Sequence, residues 1–278
     1  MSVREPVIAL GALLGAAILW SAVSPLVERP RFLRRNFRGS SIPTAAGVVV
    51  MIVVAAGSLM AWIRPESFEV RSRWAAASLI LAVAFGILGL IDDLSGQAGG
   101  GGFRGHLLAL ARGRLTTGML KLMGGGVVSL VAAYLVLPDG SVVDWIRAGL
   151  LVALSANLAN LFDRAPLRTT KVAVLWLLAL VPFARGSELL AGVLAVGASL
   201  GLAPWEGREK LMAGDTGANV VGASLGLSAV LALGPVGQWI TLGLVGALNL
   251  ISERVSFSRV IAGNRVLSAL DRLARLRP

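Results

Sequence analysis

Four aspartates stand where an apolar chain has reason to avoid them. Asp92 and Asp93, in GLIDDL, close the uncharged run 74–91. Asp163 closes another such run in NLANLFDR, and Asp215 opens a third in KLMAGDTGAN. The end of a helix carries partial negative charge, so each carboxylate there is disfavoured by about 0.3–1 kcal/mol, and adjacent acids also repel each other. A divalent cation removes both penalties. Mg²⁺ in particular takes one or two carboxylates and completes its shell with phosphate oxygens and water. The plainer alternatives are a solvated loop position for Asp92 and Asp93 and an N-cap role for Asp215. The glycine-flanked start at Asp215 also suits a phosphate meeting backbone N–H groups. Asn157, Asn160 and, roughly, Arg164 lie along one helix face near Asp163. They either line a cavity or bond neighbouring helices. Lys121, at the start of a further apolar run, reads by itself as a snorkelling anchor.

These positions have to be supplied by membrane-embedded elements. Of the 278 residues, 56% are hydrophobic and only 15% charged, against about 25% charged in a soluble domain. The sequence predicts an all-α polytopic membrane protein with about nine transmembrane helices. The expected spans are 6–27, 43–63, 74–91, 117–137, 143–162, 171–184, 187–205, 216–233 and 236–252. The first exceeds a signal-peptide core, and its dense positive charge (Arg29 to Arg38) follows the run instead of preceding it. No 20-to-50-residue repeat is visible, and many of the 34 glycines lie inside spans, where they permit close helix packing.

Twenty-six Lys and Arg against fifteen Asp and Glu give a net charge of +11. The basic residues concentrate in 28–42, 92–116, 163–170, 206–215 and 253–278, whereas the alternate loops carry few. The positive-inside rule then predicts an outward N-terminus, a cytoplasmic C-terminus and a multi-pass protein of the inner (plasma) membrane. It also brings all four aspartates to the cytoplasmic face. The charge is thus a topology signal and an attraction for anionic lipid or substrate, and nucleic acid is not needed to explain it. Residues 1–252 read as the membrane domain and 253–278 as a basic amphipathic tail on the inner surface. His106, in HLLALARGRL, falls in a plausible interfacial segment. It is the only histidine, and there is no cysteine, so His-rich and thiolate metal centres are excluded.

In order along the chain, IPTAAG (42–47), GLIDDL (89–94), NLANLFD (157–163) and MAGDTGAN (212–219) resemble the signatures of the polyprenyl-phosphate N-acetylhexosamine-1-phosphate transferases. The resemblance covers roughly residues 30 to 252. It implies transfer of a sugar 1-phosphate from a UDP-sugar to polyprenyl phosphate at the cytoplasmic face, releasing UMP for cell-envelope glycan synthesis. Mg²⁺ is the implied cofactor, with Mn²⁺ as an alternative. Carried over motif by motif, Asp92, Asp93 and Asp163 match catalytic positions, and Asp215 with Asp92 the metal site. Asn157, Asn160, Lys121 and Thr44 match substrate-binding positions, and Arg164, outside the signature, is a candidate substrate-binding residue as a phosphate partner. Arg168, Arg208 and Lys210 are further candidate phosphate partners, and a homodimer is a candidate assembly. The chain departs from the muramoyl-type pattern in reading RAPLRTTK after Asp163 and LMGGG after Lys121. It also lacks the histidine-rich last loop and a tenth span, which leaves the sugar donor open. Two other readings stand beside the transferase: a catalytically silent relative that binds lipid carrier or a partner, and, ranked lower, a secondary transporter. Transporters place their ionisable groups near the bilayer midplane, whereas these acids sit at span ends.

Overall fold

The computed structural model describes residues 4–36, 38–68, 70–95, 105, 112–113 and 116–275. His106 and most of HLLALARGRL lie outside the described residues. The apolar runs, and one short segment that carries Glu66, form helices: α1 (Arg4–Val27), α2 (Val48–Ile63), the short α3 (Pro65–Phe68), α4 (Ser72–Ser95) and α5 (Thr117–Val136). They continue as α6 (Val142–Phe162), α7 (Arg168–Leu180), α8 (Leu190–Glu206), α9 (Gly214–Ala232) and α10 (Pro235–Ser252). The tail forms α11 (Phe257–Gly263) and α12 (Arg265–Arg272). Local chemistry sets several starts. Thr116 accepts from the Met119 N–H ahead of α5, and Ser141 with Asp144 makes a reciprocal capping box at α6. Among the described residues the departure from an all-α reading is one short antiparallel hairpin, β1 (Leu33–Arg35) with β2 (Ser41–Pro43), which places Arg34 opposite Ile42.

Seven helical segments are long and apolar enough to cross a bilayer, among the described residues. The protein is therefore an all-α polytopic membrane protein by length and composition. The expected spans 171–184 and 216–233 are not among the seven. Helix α7 has 13 residues, about 20 Å of rise, which is short of the roughly 30 Å hydrocarbon core. Helix α9 is long enough but carries Asp215, Asn219 and many small residues. The reason is its position: every residue from Thr216 to Val230 is buried. It is enclosed by α4, α6 and α8, with α2 and α7 also touching it. A helix that faces only other helices needs small side chains for close approach more than it needs large apolar ones. Helices α1 and α10 are peripheral and turn residues such as Ile18, Val236 and Leu250 outward, each more than 70% exposed.

Among the described residues, parts of the basic connecting segments 28–42 and 206–215 meet, with Asn36 Nδ2 donating to Glu209 Oε2 at 3.1 Å. Met212 N donates to Pro43 O at 2.7 Å, and Gly47 N donates to Ala213 O at 3.0 Å, so IPTAAG lies directly against the start of α9. The tail is tied to α7. Arg168 at the start of α7 makes two hydrogen bonds of 2.9 Å to the Asp271 carboxylate, and Lys171 Nζ donates to Asp271 O at 2.6 Å.

Candidate functional site

The centre of the site is the first turn of α9. Asp93, at the end of α4, turns its carboxylate onto that turn. Oδ1 accepts from Asp215 N at 3.0 Å, and Oδ2 accepts from Thr216 N at 3.0 Å and from Thr216 Oγ1 at 2.6 Å. A carboxylate on free N–H groups at the positive end of a helix is favourable. The acid that the end of α4 disfavours is thus used by the beginning of α9. Two glycines allow the approach. A Cβ on Gly89 would lie 2.5 Å from the Asp215 carbonyl carbon and oxygen. Gly214 has φ +67°, and a Cβ there would lie 2.7 Å from Asp93 Oδ2 and would overlap Thr44 O. Arg34 also serves the end of α4, donating to Asp93 O at 3.1 Å and Leu94 O at 3.4 Å. That guanidinium offsets the partial negative charge of the helix terminus.

Asp92 and Asp215 face a common ammonium. Lys121 Nζ is 3.5 Å from Asp92 Oδ2 and in direct contact with Asp215 Oδ2. Asp92 Oδ1 also accepts from Thr117 Oγ1 at 2.8 Å, and Asp215 Oδ2 accepts from Asn160 Nδ2 at 3.1 Å. Four helices, α4, α5, α6 and α9, therefore converge on two carboxylates. Each is about a quarter exposed, with Lys121 at 14%. Among the described residues no three Asp, Glu or His side chains gather round one ion-sized point. This donor set fits a hard cation that takes two protein carboxylates and completes its shell from phosphate and water.

The remaining expected residues divide. Asp163 sits just past α6, half-buried. Removal from water, reinforced by the negative charges of Glu206, Asp215 and Asp93, holds its carboxyl well above the usual carboxylate range. Arg164 is exposed beside it. Asn157 Nδ2 donates to Asn249 Oδ1 on α10 at 2.6 Å, a bond between helices, and the residue also borders a small pocket with Lys121 and Asn219. Thr44 is buried, with its hydroxyl on Phe32 O at 3.2 Å. Arg168, expected as a phosphate partner, is committed to Asp271 and Ser258. Arg208 and Lys210 are exposed.

A cleft of 630 Å³ opens beside Asp163, within the range of small-molecule sites. Arg35 and Asn36 come from the hairpin side, Leu161, Asp163 and Arg164 from the end of α6, and Met212 from ahead of α9. Ser252, Val255, Ser256, Phe257 and Ser258 supply the rest.

Sequence reasoning passed over several participants. Glu206 is buried and its Oε1 accepts from Leu167 N at 2.9 Å. It thereby fixes a residue held at φ +61° directly after the Asp163 loop. Its one available signal was an acid closing an otherwise uncharged run. Thr117 and Thr216 carried none, because a single hydroxyl at a helix start is common. No protein-family model matches this chain and no curated protein matches it, so the resemblance to the sugar-phosphate transferases rests on the four short signatures.

Proposed function

We propose that this protein transfers a sugar 1-phosphate, of the N-acetylhexosamine type, from a UDP-sugar to polyprenyl phosphate at the cytoplasmic membrane face. One observation carries the reading. Segments up to about 120 residues apart bring Asp92, Asp215, Lys121 and Asn160 together, and Asp163, whose carboxyl feels the charge of Asp215, borders the cleft large enough for a small molecule. The positive-inside rule supports a cytoplasmic position for this basic end, where UDP-sugars are found, and membrane embedding suits a lipid acceptor.

In this reading an acceptor phosphate oxygen attacks the phosphorus that bears the sugar. The bond from that phosphorus to the bridging oxygen breaks, and UMP leaves with the bridging oxygen. The products are polyprenyl-diphosphate-sugar and UMP. Several anionic groups must meet, so charge neutralisation and alignment dominate the barrier. Asp92 and Asp215 would hold Mg²⁺, which when bound supplies charge neutralisation to the diphosphate. Lys121 adds a fixed positive charge between the same two carboxylates. Asn160 orients Asp215, and Asp93 sets the backbone of Asp215 through the first turn of α9. Arg164 and Arg35 at the cleft present guanidinium groups suited to phosphate. Asp163 lines the cleft, where its carboxyl group would meet the bound donor.

The test is UMP release by purified protein given polyprenyl phosphate, Mg²⁺ and a panel of UDP-sugars. Release with one donor, lost with chelator and in Asp92→Asn and Asp215→Asn, supports the assignment. A second reading, a catalytically silent lipid-carrier binder, is favoured by one feature: the Lys121 ammonium occupies the space between the carboxylates that a metal would share. Folded protein that binds polyprenyl phosphate yet releases no UMP from any donor would select it.

A further inference from the structure

One helical turn further into the bundle than the paired carboxylates, α4, α5, α6 and α9 enclose a pocket of about 30 Å³, room for one water-sized group. Gly125 lies one turn beyond Lys121, Asn219 one turn beyond Asp215, and Asn157 one turn before Asn160. Phe85, Gly125, Ala153 and Ala156 give the pocket apolar walls, and its polar residues are Lys121, Asn157 and Asn219. Asn157 is held through Nδ2 by Asn249. Asn219 is 1% exposed, and among the described residues its Nδ2 has no hydrogen-bond partner. A buried donor left unpaired is costly, and such a group calls for a role outside the resting arrangement. The metal site supplies one. Lys121 Nζ contacts Asp215 Oδ2 and lies 3.5 Å from Asp92 Oδ2, so it stands where a divalent cation on these carboxylates would stand. A dication and an ammonium repel strongly across so short a gap. The ion therefore binds only if the ammonium moves, and Lys121 forms part of the wall of a pocket that admits a group of that size.

We propose that Asn219 is the second seat of the Lys121 ammonium: when a divalent cation takes Asp92 and Asp215, the lysine swings one turn inward and donates to Asn219 Oδ1. The inference rests on the metal assignment of the transferase reading. It refines that reading by placing the Lys121 charge between the carboxylates before the ion arrives and beside them afterwards. The chemistry of both side chains suits the exchange. Lysine carries its ammonium on a flexible four-carbon stem, and the glycines at 125 and 126 put no side chain in its way. With Nδ2 unheld, a half-turn about the Cβ–Cγ bond of Asn219 exchanges it with Oδ1, an acceptor, which is what an ammonium requires. The two carboxylates are then never left without a cation, as their partly buried position demands. Asn219 is a positioning residue that acts through Lys121.

Mn²⁺ is the probe, and the loss of its free-ion EPR signal on binding to the purified protein gives Kd independently of any turnover. Asn219→Leu is expected to raise Kd about tenfold, the weight of one hydrogen bond to a charged group. Its metal-free Tm should not fall below wild type, because leucine replaces an amide whose Nδ2 had no partner. Asn219→Ser keeps an acceptor and should fall between the two. In Lys121→Met no ammonium needs a second seat, so Mn²⁺ should bind more tightly than to wild type, and adding Asn219→Leu should change Kd by less than about twofold. Asn219→Ala, which removes atoms and adds none, gives the same comparison if Asn219→Leu does not fold. An equal loss of affinity in the wild-type and Lys121→Met backgrounds would overturn the seat and leave the metal site standing, as would no loss in either. Absence of Mn²⁺ binding in both wild type and Lys121→Met would remove the metal assignment and this inference together.

Discussion

Replacing Asp93 separates a structural carboxylate from a chemical one. In Asp93→Ala three hydrogen bonds disappear at once. The Asp215 N–H sits next to a partly exposed side chain and can recover water. Thr216 is 0% exposed, so its N–H and hydroxyl cannot. Each buried donor left without a partner costs about 1–3 kcal/mol, and loss of a helix cap costs about 1 kcal/mol. Because these terms overlap, we expect a net loss of about 3 kcal/mol, a fall in Tm on the order of 6–12 °C for a chain of this size. Thr216→Val removes only the hydroxyl and should cost about 1 kcal/mol. Combining the two substitutions should cost less than their sum, because the hydroxyl that Asp93→Ala leaves stranded is then gone. Thermal unfolding in detergent, followed through the seven tryptophans, gives the four corners of the cycle. If Asp93→Ala unfolds at the wild-type temperature while UMP release is lost, the cap argument is wrong and the carboxylate is free for chemistry.

Gly89→Ala should lower stability by about 1–3 kcal/mol, since its methyl would lie 2.5 Å from the Asp215 backbone; a wild-type melting curve would sink this packing claim. Asp163 gives a pH test. Its folded carboxyl keeps the proton above the unfolded value of about 3.9, so the folded state binds more protons between the two values. Stability then falls as pH rises through that window. Asp163→Asn, compared with wild type in chelator, should raise Tm at pH 7 and above by a margin that vanishes near pH 4; a margin independent of pH would refute the shift. Lys121→Met leaves Asp92 and Asp215 without their shared cation, so added Mg²⁺ should raise its Tm more than that of wild type; at a hundred times Kd the ion stabilises the variant by about 2.7 kcal/mol. No Mg²⁺ effect on either protein would count against the metal assignment. Asn157→Leu removes one bond to Asn249, worth about 0.6 kcal/mol within a membrane, and should leave UMP release within about threefold. A loss of several orders of magnitude at unchanged Tm would instead place Asn157 on the substrate.

What the sequence by itself determined is what depends on neighbours along the chain. Uncharged runs fold as helices because their backbone groups must be satisfied within the membrane. That makes α1, α2, α4, α5 and α6 legible, along with the polar ends at Asp92, Asp163 and Asp215. The helix α9 was read as one more span because its length is local, whereas its enclosure by α4, α6 and α8 is not. Its small residues make sense only once those neighbours are in place. The tertiary structure alone decided what each acid does. Asp92 and Asp93 are adjacent in sequence, yet one meets Lys121 and Thr117 while the other caps a helix more than 120 positions later. Consecutive helical positions point about 100° apart, so neighbours in sequence face different partners. Arg168 carried the same charge as Arg164, and nothing local distinguished them until Asp271, 103 residues away, claimed one and left the other at the cleft. Charge and hydropathy fix which end of the bundle a residue occupies; only packing chooses its partner, because partners are set by which helices touch.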